Sequence, residues 1–342
     1  MYKNILVCLD NSDQSNLGMD IGIAIAAKFS ARLTGCHVYA AVLHENRFRQ
    51  MEFALPAKYQ KEDELNKQRN IHSNLITKGL RIIADSYITA FEDRCKAAGV
   101  ACSGKTREGK NYLEIVGELE DGAYDLVILG SLGVGATGAS RIGSVCERVA
   151  RRTRTDILVV REAVTIEGGI TAAVDGSPNS FAGIKRAVVL AMAFGARVEA
   201  VSVYDPHFHY AAFKNIAGIL SEEAGRLFRF KEQEMLHGEI IDTGLAKIYR
   251  NHLDISKAIA QGDGMVMETT LLEGKPYDRI LQHLEKTMPG LLIMGRNGIH
   301  GVEDQDIGSN TENCLRQAGC NVLITSQGFL PPQGAGGPQT GL

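Results

Sequence analysis

The chain has 342 residues, a length that typically supports two domains, each with a sizeable core. Hydrophobic residues make up 44% of the sequence and charged residues 23%, which excludes a fibrous or a disordered protein. A net charge of −3 and a pI near 6.3 give no general attraction to polyanions, so nucleic acid is not an expected partner.

The cysteines and the N-terminus bear on the cellular compartment. Seven cysteines are spread along the chain without a Cys-x-x-Cys pair, and several lie in apolar runs that predict strands. This pattern indicates reduced, buried thiols rather than a disulfide framework. The start MYKNILVCLD already resembles a strand, and no long apolar run follows a basic start. We therefore expect a cytoplasmic protein without a signal peptide or a membrane partner.

The chain begins with a β-α-β pattern. The run from Lys3 to Leu9 predicts an apolar strand, and apolar residues at helical spacing follow it as far as Phe29. We expect Ser12 or Asp13 to cap that helix. A second strand is predicted from Arg32 to Tyr39.

The first half continues the alternation of strands and helices. A polar segment reaches about residue 61, and a long helical pattern follows from residue 62 to about residue 98. Further strands are predicted at 100–106, 126–129 and 156–161, with a short helix that ends near residue 119 and another that begins at 143–144. This alternation predicts an α/β fold with a parallel, doubly wound sheet.

A glycine-rich loop follows the predicted strand that ends at Leu129. Gly130 is separated from Gly133 by two residues, and nine more precede the pair Gly143-Ser144, where the next helix is expected to begin. An apolar run without alternation fits a strand buried on both faces, and a glycine-rich loop that leads into a helix is a candidate phosphate site. Ser144 and the glutamate three residues later also fit a capping box, which would explain the serine structurally.

The second half repeats this organisation. An aspartate follows the first predicted strand of each half, and the glycine spacing of the first loop recurs in the second, always at an offset of 165 residues. A constant offset predicts a duplicated domain. We expect domains at residues 1–163 and 168–327, followed by a disordered tail rich in proline and glycine at 328–342.

The recurrent residues of each half are expected to meet at one edge of the sheet. Ligands of open α/β sheets bind at the carboxyl ends of the strands, where the strand order reverses. There Asp10 can accept hydrogen bonds from a base or a ribose, although an aspartate in a turn would look the same. Glycines at 130 and 133 would let the backbone approach a ribose or phosphate, and the N–H groups at 143–145 would face an anion.

These paired motifs resemble the ATP-binding group of the universal stress protein family, and the resemblance covers residues 1 to about 327. It implies a five-stranded parallel sheet in each of two tandem domains. It also implies a stress-response role in which ATP, or else AMP or ADP, acts as a conformational ligand, usually with Mg²⁺ or Mn²⁺. The residues implied to bind the nucleotide are Asp10, Val38, Gly130, Gly133, Gly143, Ser144 and Val145 in the first domain, and Asp175, Val203, Gly295, Gly298, Gly308 and Ser309 in the second.

The resemblance also implies pairing through the fifth strand of each domain. The two halves would then form an intramolecular pseudo-dimer, and a homo-oligomer stays open. An unidentified protein partner is a further expectation, because the polar segment before residue 61 carries Phe48, Met51, Phe53 and Leu55. Those residues would form either a partner surface or a lid over the site.

The two halves are not equivalent in charge. The first loop is small and neutral with one cation, Arg141, whereas the second carries Glu303, Asp304 and Asp306. Carboxylates beside a triphosphate would repel it by about 1 kcal/mol or more per close pair, and Arg296 would offset only one of them. We therefore expect ATP mainly in the first domain, and weak or metal-bridged binding in the second. Asn11 is a departure, because the second half has the family's commoner glycine at that position.

Other functions were weighed against the nucleotide site. The run from Gly133 to Gly138 fits the dinucleotide fingerprint Gly-x-Gly-x-x-Gly, but it lies after the fourth strand and is absent from the second half. Since no Walker A lysine motif or kinase loop set occurs, the chain is at most a slow ATPase, and no catalytic residue is assigned. A signalling scaffold that works through protein contacts without nucleotide stays an alternative.

Three smaller features have structural explanations. Asp205, His207 and His209 form an Asp-x-His-x-His run that could bind a metal, but an ordinary polar loop explains it as well. His37 lies within a strand and is interpreted as a core residue. The arginines 148, 151, 152 and 154 fall at the end of a predicted helix, where the helix dipole and solvent favour cations.

Overall fold

A computed structural model describes residues 1–136, 141–163, 166–206, 242–299, 301 and 307–331. The chain divides into two compact units, Met1–Ala163 and Val164–Leu342. Each unit has five parallel strands, and the two units are described in turn.

The first unit alternates strands and helices as the sequence predicts. Its elements are β1 Asn4–Cys8, α1 Asp13–Phe29, β2 Arg32–Tyr39, α2 Ala41–Met51, α3 Glu62–Ala97, β3 Cys102–Glu108, α4 Asn111–Asp121, β4 Leu126–Gly130, α5 Ser144–Arg152 and β5 Asp156–Val160. The strands are parallel, in the order β3-β2-β1-β4-β5. Because the chain turns in opposite directions from β1 and β4, a crevice opens at their carboxyl ends.

The described part of the second unit has the same topology. Its elements are β6 Ile170–Ala173, α6 Pro178–Phe194, β7 Val198–Tyr204, α7 Asp242–Gly262, β8 Glu268–Glu273, α8 Pro276–Thr287, β9 Leu291–Gly295, α9 Ser309–Gln317 and β10 Asn321–Thr325. The parallel order is β8-β7-β6-β9-β10. The expected α/β fold, with a five-stranded parallel sheet in each half, is therefore confirmed.

Continuous apolar runs form the central strands because helices cover both faces of each sheet. Ile5, Leu6 and Val7 of β1 are fully buried, as are Leu126 and Ile128 of β4. The first helix of each unit starts with the same device, a serine hydroxyl that accepts the N–H three residues on at 3.2 Å. Of the two expected caps for α1, the structure selects Ser12.

One helix was missed by the sequence reasoning. The segment after β2, interpreted as polar and irregular, contains α2, which packs against α3. Phe48 of α2 stacks on His72 of α3 with ring centroids 4.2 Å apart, whereas Met51 and Phe53 are exposed. No helix in the described part of the chain is long and apolar enough to cross a membrane.

Candidate functional site

The first unit has a cleft at the carboxyl edge of its sheet, with a volume of about 710 Å³. All seven residues expected to bind nucleotide in this half line it: Asp10, Val38, Gly130, Gly133, Gly143, Ser144 and Val145. They come from β1, β2, the loop after β4 and the first turn of α5. The topology thus brings together residues that are up to 135 positions apart in the sequence.

The second unit has a smaller cleft in the same place, of about 310 Å³. The six residues expected there also line it: Asp175, Val203, Gly295, Gly298, Gly308 and Ser309. Tyr249 of α7 contributes to its wall. The carboxylates at 303, 304 and 306, on which the charge argument rested, lie outside the described residues, as do His207 and His209.

Each cleft contains an aspartate that also shapes its own turn. One oxygen of Asp10, Oδ1, accepts the backbone N–H of Ser12 at 3.0 Å and its hydroxyl at 2.6 Å. Asp175 binds Ser177 in the same way, at 3.1 and 2.7 Å. The structural explanation of this residue as a turn former is therefore correct, but it accounts for only one of the two oxygens.

The second oxygen of the aspartate distinguishes the two clefts. Oδ2 of Asp175 accepts the backbone N–H of Ile299 at 3.0 Å. Among the described residues, Oδ2 of Asp10 has no such partner, and it faces the loop at Gly133. The first cleft therefore keeps a carboxylate oxygen available to a ligand, while the second uses it to hold its own loop.

The departure at Asn11 has no conformational consequence. Asn11 has φ +60°, and the glycine at the same position of the second unit, Gly176, has φ +90°. Asparagine is one of the few residues that tolerate this left-handed region. Gly176 instead provides space, because His252 of α7 packs directly over its Cα.

The signature glycines are needed by the protein itself. A Cβ at Gly130 would lie 2.9 Å from the backbone nitrogen of Ser15, because the start of α1 packs on the end of β4. A Cβ at Gly133 would lie 2.6 Å from Oδ2 of Asp10. Gly295 and Gly298 repeat these contacts with α6 and Asp175. The glycine pattern thus has a packing cause, in addition to any approach of a ligand.

The first turn of α5 offers free N–H groups to the cleft. The helix begins at Ser144 and its N-cap is Gly143, without a side-chain cap, so the capping-box interpretation of Ser144 and Glu147 was wrong. The same correction holds for Ser309, whose helix has Gly308 as its N-cap. Since the first N–H groups of a helix lack intrahelical acceptors, those of Ser144 and Val145 can bind an anion.

The expected role of the Gly143 N–H is also corrected. It donates to the carbonyl oxygen of Ser131 at 2.6 Å, which closes the glycine loop on itself. The N–H of Gly308 donates to Arg296 in the same way, at 2.9 Å. These groups therefore shape the loop and do not face the anion position.

The outer wall of the first cleft comes from residues that the sequence analysis did not assign to the site. His44 of α2 lines it, together with Leu80, Ile83 and Tyr87 of α3. The four residues Phe48, Met51, Phe53 and Leu55 do not line it, so the expectation of a lid formed by them was wrong. Only the fold reveals this wall, because α2 and α3 reach the cleft through long-range packing.

His37 is held in place at the cleft and is more than a core residue. Its Nδ1 lies 2.6 Å from the carbonyl oxygen of Leu9, and it must donate this hydrogen bond because a carbonyl oxygen can only accept. The ring also meets Tyr87 edge-on, with centroids 5.0 Å apart. In the second unit Ser202 occupies this position and donates to Val174 at 2.7 Å.

The first cleft carries little charge. Among its described lining residues Asp10 alone is formally charged, and Arg141 of the loop is exposed outside it. Cys8, Cys36 and Cys146 line the cleft floor, and burial raises the pKa of the last two to about 12. Burial also raises the pKa of Cys8 well above its usual value. All three are therefore protonated at neutral pH and are poor nucleophiles.

The described residues contain no ready-made metal centre. No group of three histidine, cysteine, aspartate or glutamate side chains among them is arranged to hold a metal ion. The doubly wound sheets, with a cleft at the switch point and a helix without a side-chain cap beside it, place the chain in the doubly wound α/β class of proteins.

Comparison with known proteins gives the family. The model of the universal stress protein family matches residues 1–161 and again 169–326, so the chain belongs to that family and carries its domain twice. Universal stress protein MJ0531 of Methanocaldococcus jannaschii is 28% identical over 169 residues, which cover 49% of this chain and 88% of the relative. Universal stress protein YxiE of Bacillus subtilis is 24% identical over 162 residues, covering 47% of this chain and all of the relative.

Two solved structures resemble the whole chain in fold. A universal stress protein from Archaeoglobus fulgidus has a TM-score of 0.58 at 15% identity, with 95% of this chain and 98% of the other covered. A putative universal stress protein from Pseudomonas aeruginosa has a TM-score of 0.56 at 14% identity, covering 95% and 93%. At these identities the likeness shows the fold alone.

Proposed function

We propose that the chain is a nucleotide-dependent regulatory protein of the stress response that binds ATP mainly in its first domain. Membership of the universal stress protein family supports the stress-response role. The observation that carries the nucleotide proposal is the convergence of all seven expected residues on one cleft, beside a helix that has no side-chain cap. AMP and ADP are alternative ligands of the same site.

The chemistry of the cleft fits such a ligand. A volume of about 710 Å³ lies within the usual range for small-molecule sites. The strand end at Val38 and the ring of His37 provide a wall for a base, and the N–H groups of Ser144 and Val145 provide donors for a phosphate. Since Asp10 is the one carboxylate among the described lining residues, Mg²⁺ or Mn²⁺ would be held mainly by the phosphates and not by a protein cage.

The preference for the first domain is supported by three differences. The first cleft has more than twice the volume of the second. Oδ2 of Asp10 faces its cleft, whereas Oδ2 of Asp175 is engaged by Ile299. Tyr249, whose pKa is raised by burial and by the charge of Asp175, lines the second cleft, and the first unit has Ala84 at the same offset.

We infer regulation rather than rapid turnover. Oδ1 of Asp10 is held by Ser12 and the cleft thiols are protonated, which supports a role of the nucleotide as a conformational ligand. The pairing of the two halves, a homo-oligomer and a cytoplasmic location stay predictions from the sequence. Protein partners would be the readout of bound nucleotide.

The test compares Asp10→Asn with its match in the second domain, Asp175→Asn. Nucleotide released from the denatured wild-type protein would be counted by mass spectrometry, and ATP affinity would be measured by calorimetry with Mg²⁺. We expect about one nucleotide per chain, a loss of roughly tenfold in affinity for Asp10→Asn, and less than twofold for Asp175→Asn, since one hydrogen bond to a charged group contributes about 1.5 kcal/mol or more. Equal losses would refute the asymmetry. No binding of any adenine nucleotide would refute the proposal and favour the scaffold alternative.

A further inference from the structure

A group of cations surrounds one aromatic ring beside the first cleft. Arg148 and Arg152 of α5 lie over the ring of Tyr112, with guanidinium carbons 5.0 and 5.1 Å from its centroid. Nζ of Lys110 lies 5.2 Å from the same centroid. These four residues are called the cationic cluster. The ring attracts each cation through its π electrons, and it thereby holds together like charges that repel one another.

Acidic partners do not explain the cluster. Within the described residues, none of its three cations forms a salt bridge, whereas the neighbouring Arg151 pairs with Glu147 at 3.3 Å. Arg152 donates to the carbonyl oxygen of Arg148 at 3.4 Å. The dipole of α5 accounts for an arginine in the last turn. It does not account for Lys110, which precedes α4, or for the gathering of three cations at one ring.

The cluster continues from the anion end of the cleft. Ser144, Arg148 and Arg152 are spaced four residues apart, so they share one face of α5 and lie about 6 and 12 Å along its axis. Helical side chains lean toward the N-terminus of their helix, and the arginines therefore lean toward the cleft. On α4, Asn111 lines the cleft and is followed directly by Tyr112.

The second unit provides an internal comparison. Its Tyr277 has the same lysine neighbour, with Nζ of Lys275 lying 4.9 Å from the ring centroid. The two arginine positions are occupied there by Asn313 and Gln317. Three cations around the tyrosine ring of the first unit thus correspond to one in the second, although the second unit has matching helices and the same tyrosine. The additional charge is a property of the first site and not of the fold.

We propose that the cationic cluster binds the outer phosphates of an adenosine 5′-polyphosphate whose nucleoside end lies in the first cleft. The free N–H groups of α5 would hold the inner phosphates, and Arg148 and Arg152 those that extend beyond them. The preferred ligands are then nucleotides with three or more phosphates. Three cations beside one cleft are a small footprint for nucleic acid, which usually meets a long basic stripe. This inference rests on the nucleotide-binding function proposed above.

The test is a ladder of AMP, ADP, ATP and adenosine 5′-tetraphosphate, titrated calorimetrically into the full chain with and without Mg²⁺. The variant combines Arg148→Asn and Arg152→Gln, which are the residues that the second unit tolerates at these positions. The control combines Arg32→Gln and Lys96→Gln, two exposed cations away from the cleft, and removes the same charge. Circular dichroism would verify that both variants fold.

For wild type and control, we expect the affinity to rise from ADP to ATP and again from ATP to the tetraphosphate. The variant should bind AMP as wild type does, but lose about tenfold in affinity for the tetraphosphate, because two exposed charge contacts are removed. If the affinity depended on the number of phosphates in the same way in variant and wild type, the inference would be overturned and the proposed nucleotide site would stand. Failure of all four nucleotides to bind wild type would overturn the proposed function and the inference with it. Binding of a 12-nucleotide RNA that depends on the arginines, with an unchanged ladder, would overturn the inference in favour of nucleic acid.

Discussion

A methyl group at Gly133 should damage both the loop and the ligand site. Its Cβ would lie 2.6 Å from Oδ2 of Asp10, well inside ordinary contact distance. The carboxylate cannot rotate away freely, because its other oxygen holds Ser12 through two hydrogen bonds of 3.0 and 2.6 Å. Gly133→Ala must therefore break these bonds or displace the loop.

Either change should lower the free energy of unfolding. Overpacking typically destabilises by about 1–3 kcal/mol, and the loss of two hydrogen bonds to a charged group falls in the same range. For a unit of this size, about 2 kcal/mol corresponds to a fall in Tm of roughly 4–8 °C. We expect the ATP affinity to fall as well, since the displaced Asp10 also lines the cleft.

Thermal denaturation and calorimetric titration of Gly133→Ala would measure both effects. Gly135→Ala is the matched control for stability, because a Cβ at Gly135 meets nothing within 4 Å, and it should leave the Tm near the wild-type value. If Gly133→Ala kept the wild-type Tm and affinity, the loop would be soft enough to absorb the contact. The packing explanation of the glycine pattern would then be refuted.

Two further predictions concern titratable groups of the first unit. Burial raises the pKa of Glu118, but hydrogen bonds from Lys105, Tyr124 and Arg107 outweigh it and leave the pKa below its usual value. Its contribution to stability should be complete above the unfolded-state pKa of about 4.3 and lost as pH falls through the lower folded-state value. Urea denaturation across pH 3–7 should show this loss of stability at acid pH in wild type. The free energy of unfolding of Glu118→Gln should be about 1–3 kcal/mol lower at pH 7 and should change less with pH below about 4.3. Identical pH profiles of the two proteins would contradict this explanation. Burial raises the pKa of Cys146 to about 12, so iodoacetamide at pH 8 should label it at least about 1000-fold more slowly than a free cysteine. Peptide mass spectrometry would follow the labelling, and rapid labelling of Cys146 in the folded protein would disprove this.

The sequence predicted the strands and the repeat because these depend on local patterns. Apolar runs located β1 and β4 to within one or two residues, and β2 at its observed bounds. Helix α2 escaped because its apolar side chains are not on a buried stripe: Val42 and Leu43 are exposed. It is held by contacts with α3 that are about 25 to 30 residues away in the sequence, such as Glu45 with Ser73 at 2.5 Å. The hydrophobic periodicity of a short stretch of sequence does not reveal such contacts.

The sequence predicted which residues line the candidate site, but it did not predict the contacts that they make there. Asp10 and the glycine loops could be found because they occur twice at one offset. The engagement of the Gly143 N–H with Ser131, and the packing of Gly130 on α1, depend on distances that spacing does not encode. The same is true of the histidine and tyrosine wall, and of the cations around Tyr112, which the sequence showed only as an arginine-rich helix end.

The walls of the first cleft differ in how firmly they are packed. Its floor belongs to the sheet, whereas His44, Leu80 and Ile83 come from α2 and the middle of α3. Helix α3 has 36 residues, and its buried residues all lie in its second half. Its first half contacts α2 through the stacking of Phe48 on His72, and it contacts Glu52, which follows α2, through the 2.7 Å pair with Arg69. Local opening of this helical pair should thus require far less free energy than unfolding of the sheet. A ligand could enter and leave by that route while Asp10 and the glycine loop stay fixed.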